Sequence, residues 1–414
     1  MSEPFIVQGW CPTAWQPMQS QDGWIVRVRP HCASIQVVQW RVLAELSLAH
    51  GDAQIELTRL GNVQLRGVAE SQLFSLRSTL IAAGLVPADA DEDLAPPVHC
   101  TPFYRQGDAT HVLAQSLSAA VCTHLRPSAL QRLGLEALPS KFGLLVDDTQ
   151  QRLKNTHADV RLWATPDGRY AMSAGTALTW IPMARMEDAV SAAIDLARWF
   201  ARERMAHQPM PTRLQRVIAQ FPRDATTHGA ADTESLSPSA LPDAGRLIGV
   251  PLGRIDAQAL LDVIAHMPDT AELRVTPWRS LWIDGDSAHW GKAFQDTTHW
   301  ITQTDDARLR VSACTGAPRC AQGHMAAQAL ALHIAPHVPQ NAHVHVSGCA
   351  KHCALSAEAT ALISAVRNEE AVQLDLRKPK DNDTQAIHIT PDSLQAAPQQ
   401  IQKLIHDLHL RNQR

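Results

Sequence analysis

The chain has 414 residues, with 37 lysines and arginines against 41 aspartates and glutamates and a formal net charge of −4, which excludes a broad cationic footprint for nucleic acid or an anionic membrane. That length exceeds one ordinary domain and implies two or three compact units. No stretch approaches the roughly 18 apolar residues that span a bilayer, and Met1 to Gly9 lack a basic segment leading into an apolar run; a cytoplasmic location is expected, with the eight cysteines binding metal or packing rather than forming disulfides.

Trp24 to Arg29 alternates Val26 and Val28 with Arg27 and Arg29, the period of a half-buried strand. Ser34 to His50 follows with Val37, Val38, Leu43, Leu46 and Leu48 at helical spacing, then a strand over Gln54 to Thr58, a turn at Gly61-Asn62 and a strand over Val63 to Val68. The order β-α-β-β returns later. Leu247 to Leu252 reads as strand, Asp256 to Met267 as a helix capped by Asp256, and Glu272 to Thr276 and Ser280 to Ile283 as strands. Cys100-Thr-Pro after the first unit is echoed by Cys314-Thr-Gly after the second. An internal duplication is the economical reading, and two copies that each leave a sheet face bare predict a pseudo-twofold molecule with a site at the junction. The segment 208–245, rich in Pro, Ser, Thr, Ala and Asp, reads as the linker between the halves.

Cys314-Thr-Gly-Ala-Pro-Arg-Cys320 and Cys349-Ala-Lys-His-Cys353 form C-x5-C and C-x3-C pairs in loops carrying Gly316, Pro318 and Gly348. Such loops can turn backbone N–H groups toward the anionic sulfurs of a [4Fe-4S] cube. Structural zinc usually takes pairs two to four residues apart, so C-x5-C fits it poorly. Four buried, unligated cysteines fit polar, glycine-bearing loops less well still. Both pairs are expected to precede helical stretches, whose N-terminal donors favour thiolate.

In this order the residues resemble the sulfite/nitrite reductase superfamily, whose duplicated halves hold sirohaem and a [4Fe-4S] cluster on C-x5-C and C-x3-C pairs. Thr58-Arg59 with Asn62-Val-Gln64-Leu-Arg66-Gly67 resembles that superfamily's tetrapyrrole-binding segment, and Leu138-Pro-Ser-Lys141-Phe142 resembles its active-site lysine segment. The resemblance implies an α/β fold with mixed sheets: a ferredoxin-like half-domain at 1–85, a tetrapyrrole-binding α/β domain at 86–207, a second ferredoxin-like half-domain at 246–300 and a cluster-binding α/β domain at 301–414.

A closer resemblance is to the precorrin-3B synthases of aerobic cobalamin synthesis, on Gly9-Trp-Cys11-Pro12, Gln16-Pro17-Met18, Asp22-Gly23, Val26-Arg-Val-Arg29-Pro30, Lys141-Phe-Gly143, Val146-Asp147 and Thr276-Pro-Trp278-Arg279. It implies oxygen-dependent hydroxylation of precorrin-3A at C20 with γ-lactone formation, a mononuclear non-haem iron beside the cluster, and no sirohaem. The alternative is a sirohaem-dependent sulfite or nitrite reductase. Against it, Gly143 stands where many such reductases carry a second lysine, and Pro96-Pro97 stands where an Arg-Asn step would precede Cys100; reducing sulfite or nitrite demands a dense cationic cavity.

A polyacid macrocycle calls for guanidinium and ammonium groups. Arg27, Arg29, Arg59, Arg66, Lys141 and Arg279 are the candidates, with Asn62 and Gln64 as neutral donors on the strand face of Arg66. His31, His99 and His111 lie near the same segments but read as structural, leaving the iron ligands unassigned, and Cys11 and Cys32 read as packing residues. No G-x-G-x-x-G or Walker loop is present, so electrons derived from NADH are expected to arrive through a separate reductase or ferredoxin.

Overall fold

The computed structural model describes residues 10–175, 178–221, 227–229, 245–285, 293–355, 358–367, 372–379 and 387–411. The first half begins with β1 (Met18–Ser20), β2 (Gly23–Val28), β3 (Ser34–Gln36), α1 (Val37–His50), β4 (Gln54–Leu57), β5 (Val63–Val68) and α2 (Leu73–Ala82). A second layer follows: α3 (Ala90–Asp93), β6 (Val98–Cys100), α4 (Ala109–His124), α5 (Pro127–Gln131), β7 (Leu144–Asp147), β8 (Val160–Ala164), β9 (Tyr170–Ala174), β10 (Leu178–Met183), α6 (Met186–Glu203) and β11 (Thr227–Gly229). The second half contains β12 (Arg246–Gly249), β13 (Arg254–Asp256), α7 (Ala257–Ile264), β14 (Glu272–Val275) and β15 (Ser280–Ile283), then β16 (Val311–Ala313), β17 (Val344–Ser347), β18 (Ala361–Arg367), β19 (Val372–Arg377) and β20 (Ile387–Ile389).

The two halves exchange a strand. Residues 34–36, expected to open the first helix, are strand β3, which pairs with β14 of the second half with Ile35 opposite Leu273. Reciprocally, β13 pairs with β4 of the first half, Ile255 opposite Ile55. The sheets are therefore β1-β2-β5-β4-β13 and β12-β15-β14-β3, and each exchanged strand satisfies backbone groups that an isolated half would leave at an open edge. Helices α1 and α7 pack on each other between these sheets. One apolar core consequently serves both half-domains, with Trp40, Leu43, Ile55 and Leu65 packed in the same cluster as Leu260, Val263, Leu273 and Leu281. The Trp40 indole N–H reaches across to the Leu273 carbonyl at 3.1 Å.

The remaining sheets repeat one topology. Strands β6, β7 and β8 run parallel and β9 returns antiparallel; β16, β17 and β18 run parallel and β19 returns antiparallel. Their registers correct the sequence-derived alignment by one position. Cys100 opposes Val146 and Thr101 N–H donates to the Val146 carbonyl, whereas Ala313 opposes Val346 and Cys314 N–H donates to the Val346 carbonyl. Cys314 thus corresponds to Thr101, and Cys100 corresponds to Ala313.

The strand expected to run to Leu252 ends at Gly249 and gives way to a 3-10 turn over Pro251–Gly253, matching the turn His31–Ala33 of the first half. Both turns place their central residue in the left-handed region, Cys32 at φ 49° and Leu252 at φ 55°. The residues 208–221 that open the expected linker include two 3-10 turns whose Leu214, Val217 and Ile218 are buried in the second core. Apart from 227–229 and 245, the rest of that segment lies outside the described residues. Among the described residues no helix is long and apolar enough to cross a membrane.

Candidate active site

The two cysteine loops are joined through their backbones. Gly348 N–H donates to the Cys314 sulfur at 3.1 Å, and His324 N–H donates to the Gly348 carbonyl at 2.7 Å. Within the first loop, Cys320 N–H donates to the Gly316 carbonyl and Ala317 N–H to the Met325 carbonyl. Two glycines permit this approach. A Cβ on Gly348 would stand 2.9 Å from the Gly316 Cα, and one on Gly316, which has φ +66°, would stand 2.7 Å from the Ala327 nitrogen. Cys349 is buried, Cys314 and Cys320 are half-buried and Cys353 is exposed.

The four thiols lie within electrostatic reach of one another. Burial raises the Cys349 thiol, and Cys353, Cys314 and Cys320 add to the shift; burial likewise raises Cys353, with Cys314 and Cys320 again contributing. Among the described residues no three His, Cys, Asp or Glu side chains are gathered closely enough for a single ion. The Gly348 N–H aimed at the Cys314 sulfur and the mutual influence of the four thiols suit a site for anionic sulfur; His31, His99 and His111 form no three-ligand group among the described residues. The expected helix follows only the first pair, as Ala327–Ile334; Cys349 and Cys353 lead through turns toward β18.

Most of the cations expected to bind the macrocycle already have partners. The Arg59 guanidinium donates to the Ala354 carbonyl at 2.9 Å and to the Leu355 carbonyl, fastening the first half to the chain just after Cys353. Arg66 is 5% exposed and makes a two-pronged bond to Asp22 at 3.0 and 3.1 Å, with Ser20 also accepting. Arg27 donates to Gln64 at 3.1 Å, and Gln64 donates to Glu56 at 2.6 Å. Arg29 holds the Ala95 carbonyl at 2.8 Å. Lys141 is exposed, and its carbonyl accepts from Arg213.

Arg279, like Arg27, has a buried Nε with no hydrogen-bond partner among the described residues. Burial, then the nearby Arg59 charge, lowers its pKa to about 10, while Glu56 and Cys314 act in the opposite sense. It is a cation at neutral pH beside the first cluster loop, in want of an anion.

The turns Thr58–Asn62 and Thr276–Ser280 are copies. Thr58 Oγ1 accepts from Asn62 N–H at 3.1 Å, and Thr276 Oγ1 accepts from Ser280 N–H at 3.3 Å. Both reach one cavity, where Leu60, Asn62 and Pro277 meet Arg29, His99 and Cys100. Burial, reinforced by Arg29, pushes His99 down to about 4, so its imidazole is neutral at physiological pH.

Three residues here escaped the sequence reading. Ser312 oxygen lies 2.9 Å from His345 Nδ1 and 3.1 Å from His343 Nε2. Burial, then Arg279 and Arg59, pushes the fully buried His345 down to about 3, and its Nε2 is unpartnered. Their only sequence signal is the alternation of His343 and His345 with Val344 and Val346. Arg319, inside the first cysteine loop, was also passed over; it pairs with Asp52 of the first half at 2.8 Å.

Residues 16–83 match the family described as the nitrite/sulfite reductase ferredoxin-like half domain. The chain is 26% identical over 376 residues to a precorrin-3B synthase from Sinorhizobium sp, covering 84% of this chain and 78% of the relative. Among solved structures it is similar to the NirA protein of Mycobacterium tuberculosis, with a TM-score of 0.66, 14% identity, and coverage of 92% of this chain and 81% of that one. The chain thus carries a nitrite/sulfite reductase ferredoxin-like half domain in its first half, shares the fold of the NirA protein, and counts a precorrin-3B synthase among its relatives.

Proposed function

We propose that the protein is an oxidoreductase that hydroxylates precorrin-3A with dioxygen to give precorrin-3B, using one [4Fe-4S] cluster on Cys314, Cys320, Cys349 and Cys353. The observation that carries this reading is the likeness to a precorrin-3B synthase across 84% of the chain. The cluster, when bound, supplies single electrons. Arg319 and Arg59 tie its two loops to the first half-domain, so the cube would sit against the junction cavity and not in a separate lobe.

In this reading Arg27, Arg29 and Arg279 receive the carboxylates of the macrocycle, Lys141 adds a charge from the rim, and Asn62 and Gln64 donate neutral hydrogen bonds. Arg59 and Arg66 act at one remove, by positioning the Cys353 loop and the strand β5. His99 and His345, held neutral by burial and by neighbouring arginines, can donate or accept a hydrogen bond without bringing a charge of their own. A Cβ added at Gly143 would rest in ordinary contact on the His99 ring and on Pro97, each at 3.7 Å. Electrons come from an external reductase or ferredoxin.

The fold alone is equally that of a sirohaem-dependent sulfite or nitrite reductase. Anaerobic incubation of the purified, iron-loaded protein with precorrin-3A, followed by dioxygen and a reductant, separates the two. Gain of one oxygen in the product mass is expected. An unchanged mass with an intact cluster, or an intense sirohaem band with sulfite or nitrite turnover, refutes the proposal.

A further inference from the structure

We propose that Cys32 and Cys100 form a peroxide-reactive dithiol that closes to a disulfide, a second redox centre separate from the cluster cysteines. The turn His31–Ala33 packs against β6, whose last residue is Cys100. The Cys32 and Cys100 side chains lie close enough to shift each other's titration, and His31 lies close enough to act on Cys32. Cys32 and Cys100 are 3% and 6% exposed and belong to the same core.

Packing alone does not require thiols at these places. By the register of the sheets and the matching 3-10 turns, the second half puts Leu252 and Ala313 at the equivalent positions, and that pair fills the third core. The thiol of Cys100, His31 and His111 hold the Cys32 thiol well below its ordinary range, with Cys100 as the donor to a Cys32 thiolate, while the Cys100 thiol is pushed up by the same bond. A thiolate beside a protonated partner thiol is the arrangement from which a disulfide forms.

Cys100 lines the junction cavity beside Ala33, and that cavity, about 20 Å³ in volume, has room for a molecule near the size of water or peroxide and none for a protein disulfide. The Cys32 thiolate attacks one oxygen of hydrogen peroxide, the O–O bond breaks, and hydroxide leaves and is protonated to water. Cys100 sulfur then attacks the Cys32 sulfenic sulfur, forming the S–S bond and releasing a second water. Two thiols are oxidised and one peroxide is reduced to two waters, and an external dithiol reverses the change.

The test treats the full-length, iron-loaded protein with hydrogen peroxide, alkylates the remaining thiols under denaturing conditions, and maps the digest by mass spectrometry. A peptide joining Cys32 to Cys100, lighter by two hydrogens and separated again by dithiothreitol, is expected. It should persist in Cys11→Ser and Cys122→Ser proteins and vanish in Cys32→Ser. The double variant Cys32→Leu/Cys100→Ala, which copies the other half, should fold and consume peroxide more slowly than wild type. Both thiols recovered alkylated, Cys32 recovered as sulfinic acid without a cross-link, or equal peroxide consumption by the double variant would each overturn the proposal.

Discussion

Arg66 separates a binding role from a structural one, and Arg66→Met is the perturbation that does so. The guanidinium lies in strand β5, where the register with β2 slips by one residue, and it points at Asp22 in the turn between β1 and β2. Their side chains are 6% and 12% exposed, and Glu56 is a further 3.9 Å contact. Removing one member of a buried pair strands the other's charge, which costs about 3 to 5 kcal/mol. Removing both in Arg66→Met/Asp22→Leu should return most of that, because Glu56 retains Arg254 at 3.7 Å and Arg319 at 3.9 Å. Urea unfolding followed by circular dichroism measures the difference, and titration with a carboxylate-bearing tetrapyrrole measures affinity. The single variant should lose stability by the stated amount, and the double variant should bind with wild-type affinity. A single variant that unfolds within about 0.5 kcal/mol of wild type yet loses tetrapyrrole affinity would refute the structural assignment and restore Arg66 to the binding site.

Arg59→Ala frees the Ala354 and Leu355 carbonyls and should raise the rate of iron loss to a chelator about tenfold, as expected for loss of roughly 1.5 kcal/mol of charged hydrogen bonding; unchanged iron retention would count against the clamp. His345 has its folded pKa near 3, below the unfolded value of about 6.5, so the unfolded chain binds the proton first and stability falls on acidification through that window at up to about 1.4 kcal/mol per pH unit. His345→Gln should flatten that part of the acid unfolding curve, and an unaltered slope would contradict the assignment. Finally, residues 1–221 and 245–414 produced as separate chains should each leave the shared half-domain core open to hydrogen exchange and should recover its protection when mixed, because β3 and β13 lie in each other's sheets; full protection of α1 or α7 in either fragment alone would refute the shared core.

The β-α-β-β order was legible because strand alternation and helical spacing are local signals, and Asp256 caps α7 as expected by accepting from Ala259 N–H at 3.0 Å. The strand exchange was not legible. Ser34-Ile-Gln36 is too short to show a period of its own, and the partner that makes it a strand lies in the other half of the chain. The cysteine spacing could be read because both pairs sit in turns, where side-chain chemistry rather than packing sets the residue type. Arg66 and Gln64, expected on one strand face, both approach Glu56, but the acid that pairs with Arg66 most closely, Asp22, sits in a turn remote in sequence. His345 was lost among 20 histidines, since nothing local marks a buried imidazole.

Duplication explains where the candidate site lies, and departures from it explain why one end is reactive. Gly61, at φ +68°, turns the first copy at no steric cost, whereas the second copy places Arg279 at φ 56°, a conformation that costs an ordinary residue about 1 kcal/mol or more. A glycine would relieve that strain, so the arginine is kept for its side chain, whose unpartnered Nε lies in the half that carries the cysteine loops. Arg59 has the reverse asymmetry: its copy is Pro277, which can reach nothing, while Arg59 itself crosses to the carbonyls after Cys353. Each half therefore lends the junction one arginine the other lacks: Arg279 acts on Cys314, and Arg59 holds the chain just after Cys353.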